Sequence, residues 1–172
     1  HTSCRGYSLR MPPDPTNPYM IDVFDRAAGV YDRLGVAYFS AFGARLAEIV
    51  APVPGQRVLD LGCGRGAVLF PSARAVGSSG HVLGIDAAPN MVSLTAAEAV
   101  ELGLDQVEVR LGDADYPPGV DGEYDVVLAG LVLFFLWNGL SARLDLAKAT
   151  GAAASARAVE ANDAPEGTDR AA

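Results

Sequence analysis

Cysteine is scarce in this 172-residue sequence, with only Cys4 and Cys63. The two stand far apart and Cys63 sits between glycines, which argues against a disulfide framework and for a reducing, cytoplasmic setting. Histidine is as rare, with His1 and His81 alone, and no CxxC or HExxH arrangement occurs, so no metal site is expected. Basic residues are outnumbered: 13 Lys and Arg face 21 Asp and Glu, a formal net charge of −8. That balance speaks against nucleic acid as a partner and against an anionic membrane surface. The most apolar stretch, Val126 to Trp137, is too short to span a bilayer and reads as a buried central strand with its exit loop. The opening HTSCRGYSLR lacks the apolar run of a secretion signal. What remains, 50% hydrophobic and 20% charged residues, fits one globular domain with a single core.

Residues 1–18 are expected to form a flexible arm, because Pro12, Pro13, Pro15 and Pro18 crowd one segment. The period then turns helical across 19–54. Ile21, Phe24, Ala28 and Tyr31 share one face, and Leu34, Tyr38, Phe42, Leu46 and Ile49 continue it. The pattern predicts two helices broken near Gly35, with Pro52 and Pro54 ending the second. From residue 55 strands and helices alternate: strands at Arg57–Leu61, His81–Ile85, Val107–Leu111 and Tyr124–Ala129, and helices from Gly66 to about Val76 and over Pro89–Leu102. Pro71 should kink the first of these helices or remove one of its bonds. Such alternation predicts an α/β fold with a parallel sheet. A further helix fits Leu140–Ala149. Eleven of the 26 residues from Ala147 to Ala172 are alanine, so 150–172 is expected to be a disordered tail, with the core ending at 149.

The chemistry centres on Val58-Leu59-Asp60-Leu61-Gly62-Cys63-Gly64-Arg65-Gly66, a strand running into a glycine-rich turn before a helix. Glycines there let the backbone bend sharply and approach a ligand. Gly62, Gly64 and Ala67 also fit the dinucleotide fingerprint. Asp60 discriminates between the ligands: a carboxylate at the turn repels a pyrophosphate but attracts the ammonium and sulfonium of S-adenosylmethionine. Asp86 closes the second strand about 20 residues further on, placed to accept from ribose hydroxyls, or to cap the helix that Pro89 opens. Asp113, ending the third strand, can accept from the adenine amine beside the Ala114 backbone, or simply serve a turn. Three acids at three successive strand ends suit an open parallel sheet, which binds ligands there.

These motifs, with Gly84-Ile85-Asp86, Asn90-Met91 and Gly112-Asp113-Ala114, resemble the small-molecule, ubiquinone/menaquinone-type branch of class I methyltransferases. Phe24-Asp25-Arg26-Ala27-Ala28 and Tyr31-Asp32 resemble that family's N-terminal helical lid. The resemblance covers about residues 20 to 136 and implies a Rossmann-like sheet, with S-adenosyl-L-methionine as cofactor and a small organic acceptor as partner. By the same resemblance Gly62 and Gly64 pass the methionine part, Met91 lies against adenine and Tyr31 closes over the methionine carboxylate. Ala129 and Gly130 line the end of the fourth strand. The implied cofactor-binding set is Tyr31, Asp60, Gly62, Gly64, Asp86, Ala87, Met91, Asp113, Ala114 and Ala129. Beyond Trp137 the sequence departs from the family's proline-glycine turn and further strands. A truncated or frame-altered chain with an incomplete sheet is therefore expected, and an exposed edge strand would favour a homodimer.

No catalytic side chain is assigned, because methyl transfer needs alignment more than acid–base chemistry. His81 begins a strand away from the ligand end and reads as structural. Cys63, without a paired histidine, reads as packing. Ala129-Gly130-Leu131-Val132 stands where a base-methylating enzyme would carry its Asp/Asn-Pro-Pro-aromatic motif. Phe134, Phe135 and Trp137 either touch an apolar acceptor or fill the core. Three functions stay open: methyl transfer to an O, N or C atom of a small acceptor, cofactor binding without catalysis, and nicotinamide-dependent oxidoreduction.

Overall fold

Strands β1 (Arg57–Leu61) and β2 (His81–Asp86) are buried along nearly their whole length, as expected of apolar runs covered on both faces of a parallel sheet. The computed structural model describes residues 18–32, 37–114, 117–118, 120 and 124–132. Residues 1–17 of the expected proline-rich arm, Phe134, Phe135, Trp137, the 140–149 helix and the alanine-rich tail lie outside them, whereas Pro18 belongs to a helix and not to the arm. β1 and β2 pair in parallel, with Asp60 beside Gly84 and Leu61 beside Ile85. β3 (Val107–Leu111) adds to β2, and β4 (Val126–Leu128) adds to β1, both parallel. The order is β3-β2-β1-β4. The chain therefore steps outward from β1 to β3 and then returns to the far side of β1. That reversal opens a crevice beyond the carboxyl ends of β1 and β4.

Two apolar clusters sandwich the sheet. Val58 and Val82 pack with Leu69, Phe70, Ala73 and Val76 of α3 (Leu69–Val76) and with Ala99 of α4 (Pro89–Glu101). Leu59, Leu61, Leu83 and Ile85 face the other way, with Tyr124. Each fully buried Val, Leu or Ile among them contributes about 1.5–3 kcal/mol. Strand alternation puts Asp60 on the Val58 side, so its carboxyl is delivered into the helix-covered half of the core.

Two helices precede the sheet, α1 (Pro18–Ala27) and α2 (Tyr38–Val50). α1 opens on Pro18, where the missing N–H has no intrahelical partner to lose. It ends at Ala27, so Tyr31 lies in the following turn and not on the helix that its spacing predicts. α2 stops just before Pro52, as expected. The helix after the glycine turn begins only at Leu69, which puts Pro71 in its first turn. There no bond is lost and no kink is needed. β4 is also shorter than Tyr124–Ala129: Tyr124 precedes it, buried and stacked under the Arg57 guanidinium at 5.1 Å. Among the described residues no helix is long and apolar enough to cross a membrane.

Candidate functional site

The turn after β1 is built from glycines held at φ 67 (Gly62), 48 (Gly64) and 80 (Gly66), a region other residues rarely enter. At Gly62 the approach matters as much as the angle: a Cβ would stand 2.5 Å from Cγ2 of Val132, just past β4. The turn closes on the protein itself. Gly62 and Cys63 both donate their N–H groups to the Ile85 carbonyl, at 2.8 and 3.0 Å, and Gly66 donates to the Cys63 carbonyl at 2.8 Å. Gly64 donates to Asp86 Oδ2 at 2.8 Å. These four amides are satisfied internally and are not available to grip a pyrophosphate.

Two cavities of about 150 Å³ each meet at this turn, and both are lined by Tyr31, Phe39, Gly62, Gly64 and Gly130. One is polar, bounded by Asp32, Ser40, Asp60, Arg65 and Glu98. The other is mainly apolar, bounded by Ile21, Phe24, Ala87, Ala88, Met91, Ala114 and Leu131, with Asp86 and Asp113 as its acids. The fold thus gathers Tyr31, Asp60, Gly62, Gly64, Asp86, Ala87, Met91, Asp113 and Ala114 around one cleft. Ala129 is placed differently: it packs on the Leu59–Leu61–Leu83–Ile85 cluster, and the lining passes to Gly130, Leu131 and Val132. His81 stands at the opposite end of β2, with Nε2 3.8 Å from Glu108 Oε2.

Asp60 is 1% exposed, and its Oδ2 has no hydrogen-bond partner among the described residues. Burial and the nearby Asp86 push its carboxyl well above the usual carboxylate range, while the Leu69 amide pulls the other way. Asp86 is also raised, first by burial, against the amides of Ala88, Gly64 and Ala87. Its Oδ1 accepts from Ala88 at 2.9 Å, so it fixes the start of α4 while lining the cleft. Burial raises the Cys63 thiol, and the charges of Asp60 and Asp86 add to this. Cys63 therefore stays a protonated packing residue. The Tyr31 phenol is pushed to about 12 by burial, with Asp32 and Asp86 adding to it, which makes it a donor and not a base.

Several lining residues escaped sequence reasoning. Asp32, in the left-handed region at φ 59, accepts from the Phe39 and Ser40 amides at 3.1 and 2.7 Å, and from the Ser40 hydroxyl. It thereby caps α2 and brings Phe39 onto the Tyr31 ring, centroids 4.7 Å apart. Asp25 does the same for α4, accepting from Asn90 N at 2.6 Å and Nδ2 at 2.8 Å. Neither pair has a local cap spacing that a sequence would show.

Residues 52–163 match the family described as "Methyltransferase domain". The chain belongs to that family. Among curated relatives, nocamycin O-methyltransferase of Saccharothrix syringae is 55% identical over 109 residues, 63% of this chain and 39% of its own. Aklanonic acid methyltransferase of a Streptomyces species (strain C5) is 45% identical over 119 residues, 69% of this chain and 54% of its own. The chain thus spans about half or less of the length of these two relatives. Among solved structures, a SAM dependent methyltransferase from Aquifex aeolicus superposes with a TM-score of 0.56 at 25% identity, covering 81% of this chain and 68% of that one. The [4+2]-cyclase SpnF superposes with a TM-score of 0.51 at 30% identity, covering 58% of this chain and 38% of that one. The match to the methyltransferase domain family begins after α2, so both helices that roof the cleft precede it.

Proposed function

We propose that this methyltransferase domain holds S-adenosylmethionine across the two cavities and directs its methyl group to an O, N or C atom of a small organic acceptor. The Asp60 carboxyl carries this reading. A buried oxygen without a partner is costly in an empty site and matches a ligand cation. The cofactor supplies, when bound, a methyl group already activated on a positive sulfur. Asp60 would receive the ammonium in the polar cavity, and the Asp86 lone pairs left free by the hydrogen bonds it accepts from the Gly64, Ala87 and Ala88 amides would face the ribose hydroxyls. Met91, Ile21 and Phe24 offer the adenine an apolar slot, with Asp113 and the Ala114 backbone beside its amine. Tyr31 and Phe39 roof the junction and exclude water, so the chain contributes alignment and no assigned general base.

Two relatives are named for methylating single small compounds, one as an O-methyltransferase, which supports a small acceptor. Two well-separated cysteines support a cytoplasmic setting. A second reading, cofactor binding without methyl transfer, is kept open by a solved structure of similar fold that is named a [4+2]-cyclase and not a methyltransferase. The nicotinamide reading is disfavoured by the Asp60 carboxyl in the polar cavity, since a carboxylate there repels a pyrophosphate. Calorimetric titration with S-adenosylhomocysteine, followed by a labelled-methyl assay on phenols and quinols, tests the proposal. Saturable binding with transfer supports it, and binding without transfer to any acceptor favours the second reading. No binding by the folded chain would refute both.

A further inference from the structure

Thr95 lies in α4 at 0% exposure, among residues that could have been apolar. Its Oγ1 stands 2.7 Å from the Gly64 carbonyl and 3.0 Å from Arg65 Nη1. The guanidinium can only donate, so it donates to Oγ1, and the one hydroxyl proton is left for Gly64. Arg65 is itself held by Glu98, Nη2 to Oε2 2.6 Å, with its side chain 11% exposed. The N–H of Gly64 is meanwhile taken by Asp86 at 2.8 Å. Gly64 is thus gripped at both its N–H and its carbonyl, from β2 and from α4, while its backbone walls both cavities. A Cβ at Gly64 would meet no atom within 4 Å, so glycine is favoured there by its φ of 48 and not by crowding.

We propose that Thr95, oriented by the Arg65–Glu98 pair, is a positioning residue that sets the Gly64 peptide and through it the affinity for the amino-acid end of the ligand. This rests on the cofactor reading above. Arg65 and Glu98 reach the polar cavity, whereas the apolar cavity, expected to hold the nucleoside, touches neither. Gly64 itself walls both cavities, but Arg65 and Glu98 add their own side chains only to the polar one, so the network's effect falls mainly on the amino-acid end.

The test compares wild type with Thr95→Val, Thr95→Ser and the milder Glu98→Gln. It measures calorimetric affinity for S-adenosylhomocysteine and for 5′-methylthioadenosine, which lacks the amino-acid end. It also measures hydrogen exchange of amides 62–66 without ligand. Thr95→Val should weaken S-adenosylhomocysteine about tenfold and methylthioadenosine less than about twofold. It should also speed exchange at Gly64. Thr95→Ser should restore both, and Glu98→Gln should shift both in the same direction by a smaller factor. Equal weakening of the two ligands, or unchanged affinity and exchange, would overturn the proposal. If Thr95→Val does not fold, Glu98→Gln decides by the same two readouts. Failure of wild type to bind either ligand would overturn the cofactor reading and the affinity claim together. The exchange arm then still decides whether Thr95 sets Gly64.

Discussion

Asp60 combines deep burial, an unpartnered oxygen and a raised pKa, which ties stability and binding to one side chain. A carboxyl whose folded pKa exceeds its unfolded value of about 4 contributes stability below that value. The contribution is lost as pH rises through the folded pKa. Asp60→Asn should therefore flatten the decline of Tm with rising pH seen for the ligand-free wild type, measured by scanning calorimetry. The same variant should weaken S-adenosylhomocysteine about tenfold and leave methylthioadenosine unchanged. A variant with wild-type pH dependence and affinity would remove Asp60 from the site. Asp32 runs the other way. Partial burial raises its pKa, but the hydrogen bonds from Ser40 and Phe39 outweigh that and leave it lowered. Its cap on α2 is thus present above the unfolded pKa and fails as pH falls through the folded one.

At the scale of elements, contacts between helices decide outcomes that helix propensity alone would misjudge. Gly43 lies inside α2, where alanine is the better helix former by about 1 kcal/mol. A Cβ there would stand 2.5 Å from the Ala67 carbonyl carbon and oxygen, backbone that cannot swing aside. Gly43→Ala should lower stability by on the order of 1–3 kcal/mol in denaturant titration; a stabilised variant would mean that α2 does not seat on Ala67. Asp25 joins α1 to the start of α4 and holds Phe24 near Met91. Replacing it with Ala removes a cap of about 1 kcal/mol. Limited proteolysis should then cut within α1 faster, and affinity for S-adenosylhomocysteine should fall with it. Unchanged cleavage would show that apolar packing alone holds the helix.

For the molecule as a whole, the sheet order brings the turn after β1 and the segment after β4 together as walls of one cleft. Ligand and fold are then linked. S-adenosylhomocysteine at about 100 times its Kd should add about 2.7 kcal/mol of stability, visible as a raised Tm. Gly62→Ala, forced against Val132 and into a disfavoured φ, should abolish that shift. If the shift survives, the two walls do not meet as described.

The α/β alternation, the glycine turn and the acids at the ends of β1, β2 and β3 were legible in the sequence alone. Strand alternation, helical period and a glycine's need for positive φ are local properties that neighbouring residues record. Tertiary structure decided the rest. Tyr31 lies in a turn, Asp32 reaches eight residues along to cap α2, and Asp25 reaches 65 residues to cap α4. Gly64 is gripped through Thr95, 31 residues away. Gly130 and its successors, and not Ala129, line the cleft. A buried polar group must find a partner, but chain spacing does not name it. Only the order of strands and the closure of helices upon them bring the two groups within reach.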